Sequence, residues 1–177
     1  FNSGVMLIDL NKWKQKKIEK QLLNFIAEKQ GKVQQGDQGA LNAILSKDTF
    51  CLEPKFNSVT IFYDFSYREM LIYRKPVNFY SEKVISEAIE DPAIIHFTTS
   101  FLSLRPWVMN CTHKYVDVWL KYKALSPWKD KPLWSDTRSR WFKFLVRLYT
   151  LLPSSLAIRI AGILQAYGRP FFYRSLN

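Results

Sequence analysis

At 177 residues, 47% hydrophobic and 16% aromatic, the chain is long enough to bury a core and too apolar to be disordered. Its formal net charge of +11 asks for an acidic partner, whether nucleic acid, anionic lipid or a diphosphate-bearing substrate. Cys51 and Cys111 are far apart and have no CxxC spacing, which argues against a thiolate metal site or disulfide scaffold and predicts two buried free thiols.

The chain opens on Phe1 and runs straight into a strand-like pattern, so a fragment of a longer protein is expected. Val5 to Leu10 is short and apolar and predicts a buried strand. Asn11 is the expected N-cap of an amphipathic helix from Lys12 to Gln30, with Trp13, Ile18, Leu22, Phe25 and Ile26 inward and Gly31 closing it. Asp37 is expected to cap a shorter helix, Gln38 to Leu45. Phe50 to Leu52 reads as a short strand, and Pro54 to Pro76 as irregular with weak helical periodicity around Phe65 to Tyr73. Ser81 to Ile89 predicts a helix and Ala93 to Phe97 a buried strand. A loop runs on to Trp107, and Thr112 can cap a helix reaching about Ala124. Strands alternating with amphipathic helices indicate an α/β layer fold.

In open α/β sheets, ligands sit at the carboxyl ends of strands. His96 ends its strand, and Asp37 and Gln38 stand at a loop-to-helix junction. Asn2 and Ser3 precede the first strand, at its opposite end unless the chain turns there. Plainer roles exist for each: a core histidine, a helix cap, or, for Arg105, a cation stacked on Trp107. His113 carries no such pattern and is expected at the surface.

Three segments in order resemble glycosyltransferase family 8. Phe1 to Trp13 is similar to the family's FNxGVLLINLKKW, and Asp37-Gln38-Gly39-Ala40-Leu41-Asn42 to its DQDxLN. Ile94-Ile95-His96-Phe97, leading to Arg105-Pro106-Trp107, is similar to its IHFxG and KPW. Gly39 stands at the family's second acid, and Thr98 and Thr99 follow the histidine motif where the family has glycine. The resemblance covers roughly the first 107 residues. It implies the C-terminal portion of a GT-A, Rossmann-like α/β fold, and retaining transfer of glucose or galactose from a UDP-sugar, with lipopolysaccharide, capsule or other surface glycans as acceptors. By the same resemblance Asn2, Ser3, Asp37, Thr99 and Arg105 contact the donor. Asp37 and Gln38 act at the reacting centre, and His96 is a ligand of Mn²⁺ or Mg²⁺. The cation's other ligands, from a DxD motif, are expected in an N-terminal half outside this sequence.

After Asp136 there is no acid, while Arg138, Arg140, Lys143, Arg147, Arg159, Arg169 and Arg174 follow. Trp141 to Leu152 and Leu156 to Tyr167 are basic and apolar, but neither offers the roughly 20 uncharged apolar residues of a spanning helix. Residues 137–177 therefore read as a basic amphipathic tail on a membrane surface, following a transferase portion at 1–136. The alternative is a helix packed on the domain. The expected location is cytoplasmic, peripheral on the inner face of the cell membrane, with no nucleic acid as partner. A non-catalytic basic module binding membrane or nucleic acid on a degenerate transferase fold is the competing reading.

Overall fold

The computed structural model describes residues 1–168, so Arg169 and Arg174 of the expected tail lie outside the described residues. The chain divides into two compact units, here residues 1–53 and 54–168, and residues on both sides of 136/137 belong to the second.

The first unit is helical. Asp9, not Asn11, caps helix α1 (Leu10–Gln15): its Oδ1 accepts the N–H groups of Asn11 and Lys12, each at 3.0 Å. The single helix expected from Lys12 to Gln30 is broken at Lys17, whose left-handed φ of 50° redirects the chain into α2 (Ile18–Glu28). Ile18 is buried, while Trp13, Leu22 and Phe25 are half-buried. Helix α3 (Asp37–Leu45) buries Ala40 and Leu41. Asp37 is its first helical residue, and Gly36 holds the cap position at φ 59°. Residues Val5 to Asp9 and Phe50 to Leu52 are not strands, and Leu7 is 88% exposed. A strand needs a neighbour for its backbone N–H and C=O groups, and none pairs with either segment among the described residues. Cys51 is exposed rather than buried, whereas the half-buried Cys111 donates its thiol to the Leu104 carbonyl at 3.0 Å.

The second unit is mixed helix and sheet. A 3₁₀ turn (Pro54–Asn57) leads into β1 (Ser58–Val59), which pairs in parallel with β2 (Ile95–His96) in the register Ser58 to Ile95 and Val59 to His96. Ser58 is fully buried and satisfied: its Oγ donates to the Ala88 carbonyl at 2.9 Å and meets the Tyr63 hydroxyl at 2.6 Å. Helices α4 (Ile61–Asp64), α5 (Tyr67–Arg74) and α6 (Glu82–Glu90) follow, with α4 packed on β1, α6 on the 3₁₀ turn, and α5 on α4. Ser66 and Glu69 close a reciprocal capping box on α5, and Ser81 caps α6. Phe62, Phe65, Met70, Ile85 and Ile158 form the core. The later helix, α7 (Val116–Ala124), starts after Tyr115 rather than at Thr112.

Two tail helices follow, α8 (Arg140–Leu151) and α9 (Ser154–Ile163), the latter running into a π-helical turn at Leu164–Gly168. Helix α9 packs one face on the domain and leaves Leu156, Ile160 and Ile163 exposed. Ala157, Ile158 and Gly162 are buried, and α9 packs on α5. The approach is close: a Cβ at Gly162 would stand 2.6 Å from the Ile72 carbonyl oxygen. Gly162→Ala should therefore push the helices apart and lose about 1–3 kcal/mol of stability. Thermal melts followed by circular dichroism check this, and an unchanged midpoint would mean that α9 does not pack this tightly.

Candidate active site

The first unit brings two sequence-predicted segments together. The Ser3 N–H donates to Gln38 Oε1 at 3.3 Å, and Asn42 Nδ2 donates to the Phe1 and Gln38 carbonyls at 2.9 and 2.8 Å. Asn2 Oδ1 accepts the Gly4 N–H at 2.8 Å, which turns the chain sharply. Gln38 Nε2 donates to Gln35 Oε1 at 2.6 Å, so the side chain is held at both ends. Asp37 is exposed on the first turn of α3, where the helix N-terminus favours its charge. It takes no hydrogen bond among the described residues, leaving its lone pairs open to a ligand.

The second unit brings together His96, Thr99 and Arg105. His96 ends β2, half-buried, and its Nδ1 lies 2.8 Å from Asn57 Oδ1. Burial, reinforced by the nearby Arg105 charge, holds its pKa below the usual histidine value, so the ring is neutral near pH 7. Arg105 donates from Nη2 to Thr99 Oγ1 and lies over the Trp107 ring at 5.2 Å from its centroid. The stacking expected as a plain role therefore exists beside the Thr99 contact. A neutral imidazole suits a divalent metal as a single ligand. Among the described residues no group of three or more His, Cys, Asp and Glu side chains stands together to complete a coordination sphere.

Two residues outside the sequence-based set shape this site. Asp64, at the end of α4, accepts from the hydroxyls of Ser100 and Ser103 and so pins the loop between His96 and Arg105. A lone aspartate after an aromatic run gives no sequence signal for that task. His113 is buried, not at the surface. Its ring packs against Tyr63 and Phe97, with centroids 4.6 and 4.8 Å away, and its Nδ1 accepts the Tyr115 N–H at 3.1 Å. Burial lowers its pKa, and Nε2 is enclosed without a partner among the described residues. Thr112 and Lys114 on either side suggest solvent, and the aromatic neighbours that enclose the ring are distant in sequence.

The family model for "Glycosyl transferase family 8" matches residues 1–111. The chain belongs to glycosyl transferase family 8. Among curated relatives it is 34% identical to General stress protein A of Bacillus subtilis over 130 residues, 72% of this chain and 42% of that protein. It is 28% identical to Lipopolysaccharide 1,2-glucosyltransferase of Escherichia coli over 73% of this chain and 35% of the relative. It is 25% identical to Glycosyltransferase GlyE of Streptococcus pneumoniae over 83% and 32%. The chain thus spans less than half the length of these relatives. No solved structure matches it.

In this family 8 chain, one carboxylate ties the segment from Thr98 to Leu104 to the end of α4 through two hydroxyls. Asp64→Ala leaves two hydroxyls without their acceptor, a loss of about 1–3 kcal/mol in holding the loop. The amides of residues 98–104 should then exchange hydrogen at least roughly tenfold faster, while those of the α6 core keep their protection. Unchanged exchange in the loop would remove Asp64 from this role.

Proposed function

We propose that the protein transfers a hexose, glucose or galactose, from a UDP-sugar to a cell-surface glycan or lipid-linked acceptor with retention at the anomeric carbon. The reading rests on the meeting of His96, Thr99 and Arg105 at the end of β2 in a family 8 chain. It assumes the GT-A arrangement that the family resemblance implies. Arg105 offers a planar guanidinium fork to diphosphate oxygens, and the Thr99 hydroxyl steadies that fork. Asp37, with its open carboxylate, would accept hydrogen bonds from donor-sugar hydroxyls, and Asn2 and Ser3 would flank the donor. Gln38 is neutral and held at both ends, so it would stabilise oxocarbenium-like charge rather than attack as a nucleophile. His96 would ligate Mn²⁺ or Mg²⁺, which when bound supplies charge neutralisation to the leaving diphosphate. In the full-length protein, His96→Ala should lower UDP-hexose turnover by about 100-fold or more, and EDTA should do the same. Undiminished turnover in either case would sink the metal role.

A second property is favoured by α8. Trp141, Phe144, Leu145, Leu148 and Leu151 recur on one helical stripe and are all exposed, Trp141 by 66% and Leu151 by 78%. Val146 and Tyr149 occupy the half-buried side. Arg140 and Arg147 flank the stripe and form no ion pair among the described residues, whereas Lys143 is held by Asp136 at 3.5 Å. No helix among the described residues is long and apolar enough to cross a membrane. An anionic membrane surface fits this face. The apolar stripe would enter the interface, and each arginine would gain about 1 kcal/mol beside anionic headgroups. That would place the protein peripherally on the cytoplasmic face, near lipid-linked acceptors. The protein should co-sediment with phosphatidylglycerol vesicles and not with phosphatidylcholine, and Arg140→Glu with Arg147→Glu should release it. Equal pelleting of variant and wild type would count against the surface reading, and a salt-dependent DNA shift would favour the nucleic-acid alternative.

A further inference from the structure

We propose that Asn57 is a positioning residue that fixes the tautomer of His96, so that the Nε2 lone pair is the one presented to a divalent cation. This rests on the metal role proposed above for His96 and adds the residue that orients it. The argument begins with what each atom can do. Asn57 Oδ1 is the amide atom that faces the ring and can only accept, so the 2.8 Å contact is a hydrogen bond when His96 Nδ1 carries the proton. A neutral ring protonated there carries its lone pair on Nε2. Nε2 makes no hydrogen bond among the described residues, yet it is not enclosed like the corresponding atom of His113. It therefore keeps an unused lone pair and is not sealed off from solvent.

The backbone makes the contact a consequence of the fold. Asn57 ends the 3₁₀ turn and immediately precedes β1. The Ser58 N–H donates to the Ile94 carbonyl at 2.9 Å, and the Ile94 N–H donates to the Lys55 carbonyl at 3.0 Å. These bonds flank Asn57 on one segment and hold the start of β2 on the other. The parallel register then places His96 beside Val59, two residues beyond Asn57. A histidine that binds a metal through one nitrogen usually donates from the other to a fixed acceptor, which orients the ring and raises its basicity. Asn57 is that acceptor.

Long-range ¹⁵N–¹H correlation on the ¹⁵N-labelled full-length protein, without metal, should show His96 protonated at Nδ1. In Asn57→Leu the ring should move to the Nε2–H form, and Mn²⁺ affinity, titrated in the presence of UDP, should fall roughly 10–100-fold. Asn57→Asp keeps an acceptor oxygen and, being charged, should keep the Nδ1–H tautomer with affinity no lower than wild type, which separates loss of the hydrogen bond from loss of the fold. An Nε2–H ring in the wild type, or a tautomer indifferent to Asn57→Leu, overturns the proposal. Wild-type affinity in Asn57→Leu with a large loss in His96→Ala removes the positioning role alone. Wild-type affinity in His96→Ala removes the cation reading and this inference with it.

Discussion

Two rungs of parallel pairing, Ser58 with Ile95 and Val59 with His96, hold the second unit's functional residues in register. So short a pair is not stable by itself. It persists because its surroundings are tied to it. The buried Ser58 hydroxyl joins β1 to the end of α6 through Ala88 and to α4 through Tyr63. A buried hydroxyl left unpaired would be costly, so these bonds hold β1 in place, and the Ser58 N–H to Ile94 carbonyl and Ile94 N–H to Lys55 carbonyl bonds set the register of β2 against it. The position of His96 follows from that register.

Below and beside His96 the chain is anchored by different physics on each side. Phe97, the next residue, stands edge-on to His113, which itself lies against Tyr63. That aromatic group immobilises the strand end without using charge, and burial keeps the His113 ring neutral. Further along, the loop is held by hydrogen bonds from Ser100 and Ser103 to the Asp64 carboxylate. Apolar packing therefore fixes the point where the loop leaves the strand, and a carboxylate together with Phe101 and Leu102 packed on the core fixes its course towards Arg105. A side chain with several rotatable bonds gains directional precision from such support.

What could be read in the sequence depended on how local the determining forces were. Helix α6 was legible because Ser81 caps it and its apolar residues recur at helical spacing, both local properties. The strand at His96 was legible as a continuous apolar run, although only Ile95 and His96 pair. Val5 to Leu10 carries a similar run and forms no strand, because pairing depends on a partner that the run itself does not specify. The break at Lys17 was hidden for another reason. Lysine is a good helix former, and only packing can favour a left-handed conformation there. In the candidate site, the motif residues were visible in the sequence. Asn57 and Asp64 were not, since a supporting residue is recognised only by what lies across from it. In helix α9 the packing face is Ala157, Ile158 and Gly162, and a small-residue face that packs on a neighbour has nearly the same composition as one that meets lipid.

Gly39 bears on how this sequence can change. A Cβ there would overlap the carbonyl oxygen of Gln34, and the residues just before α3 therefore sit directly on the glycine. The family resemblance places an acid at this position, but an aspartate could not be accommodated with the 33–36 segment where it is. That segment would have to move first, and it carries the unusual backbone angles of Gln35 and Gly36. Substitution at 39 is thus coupled to the conformation of its neighbours.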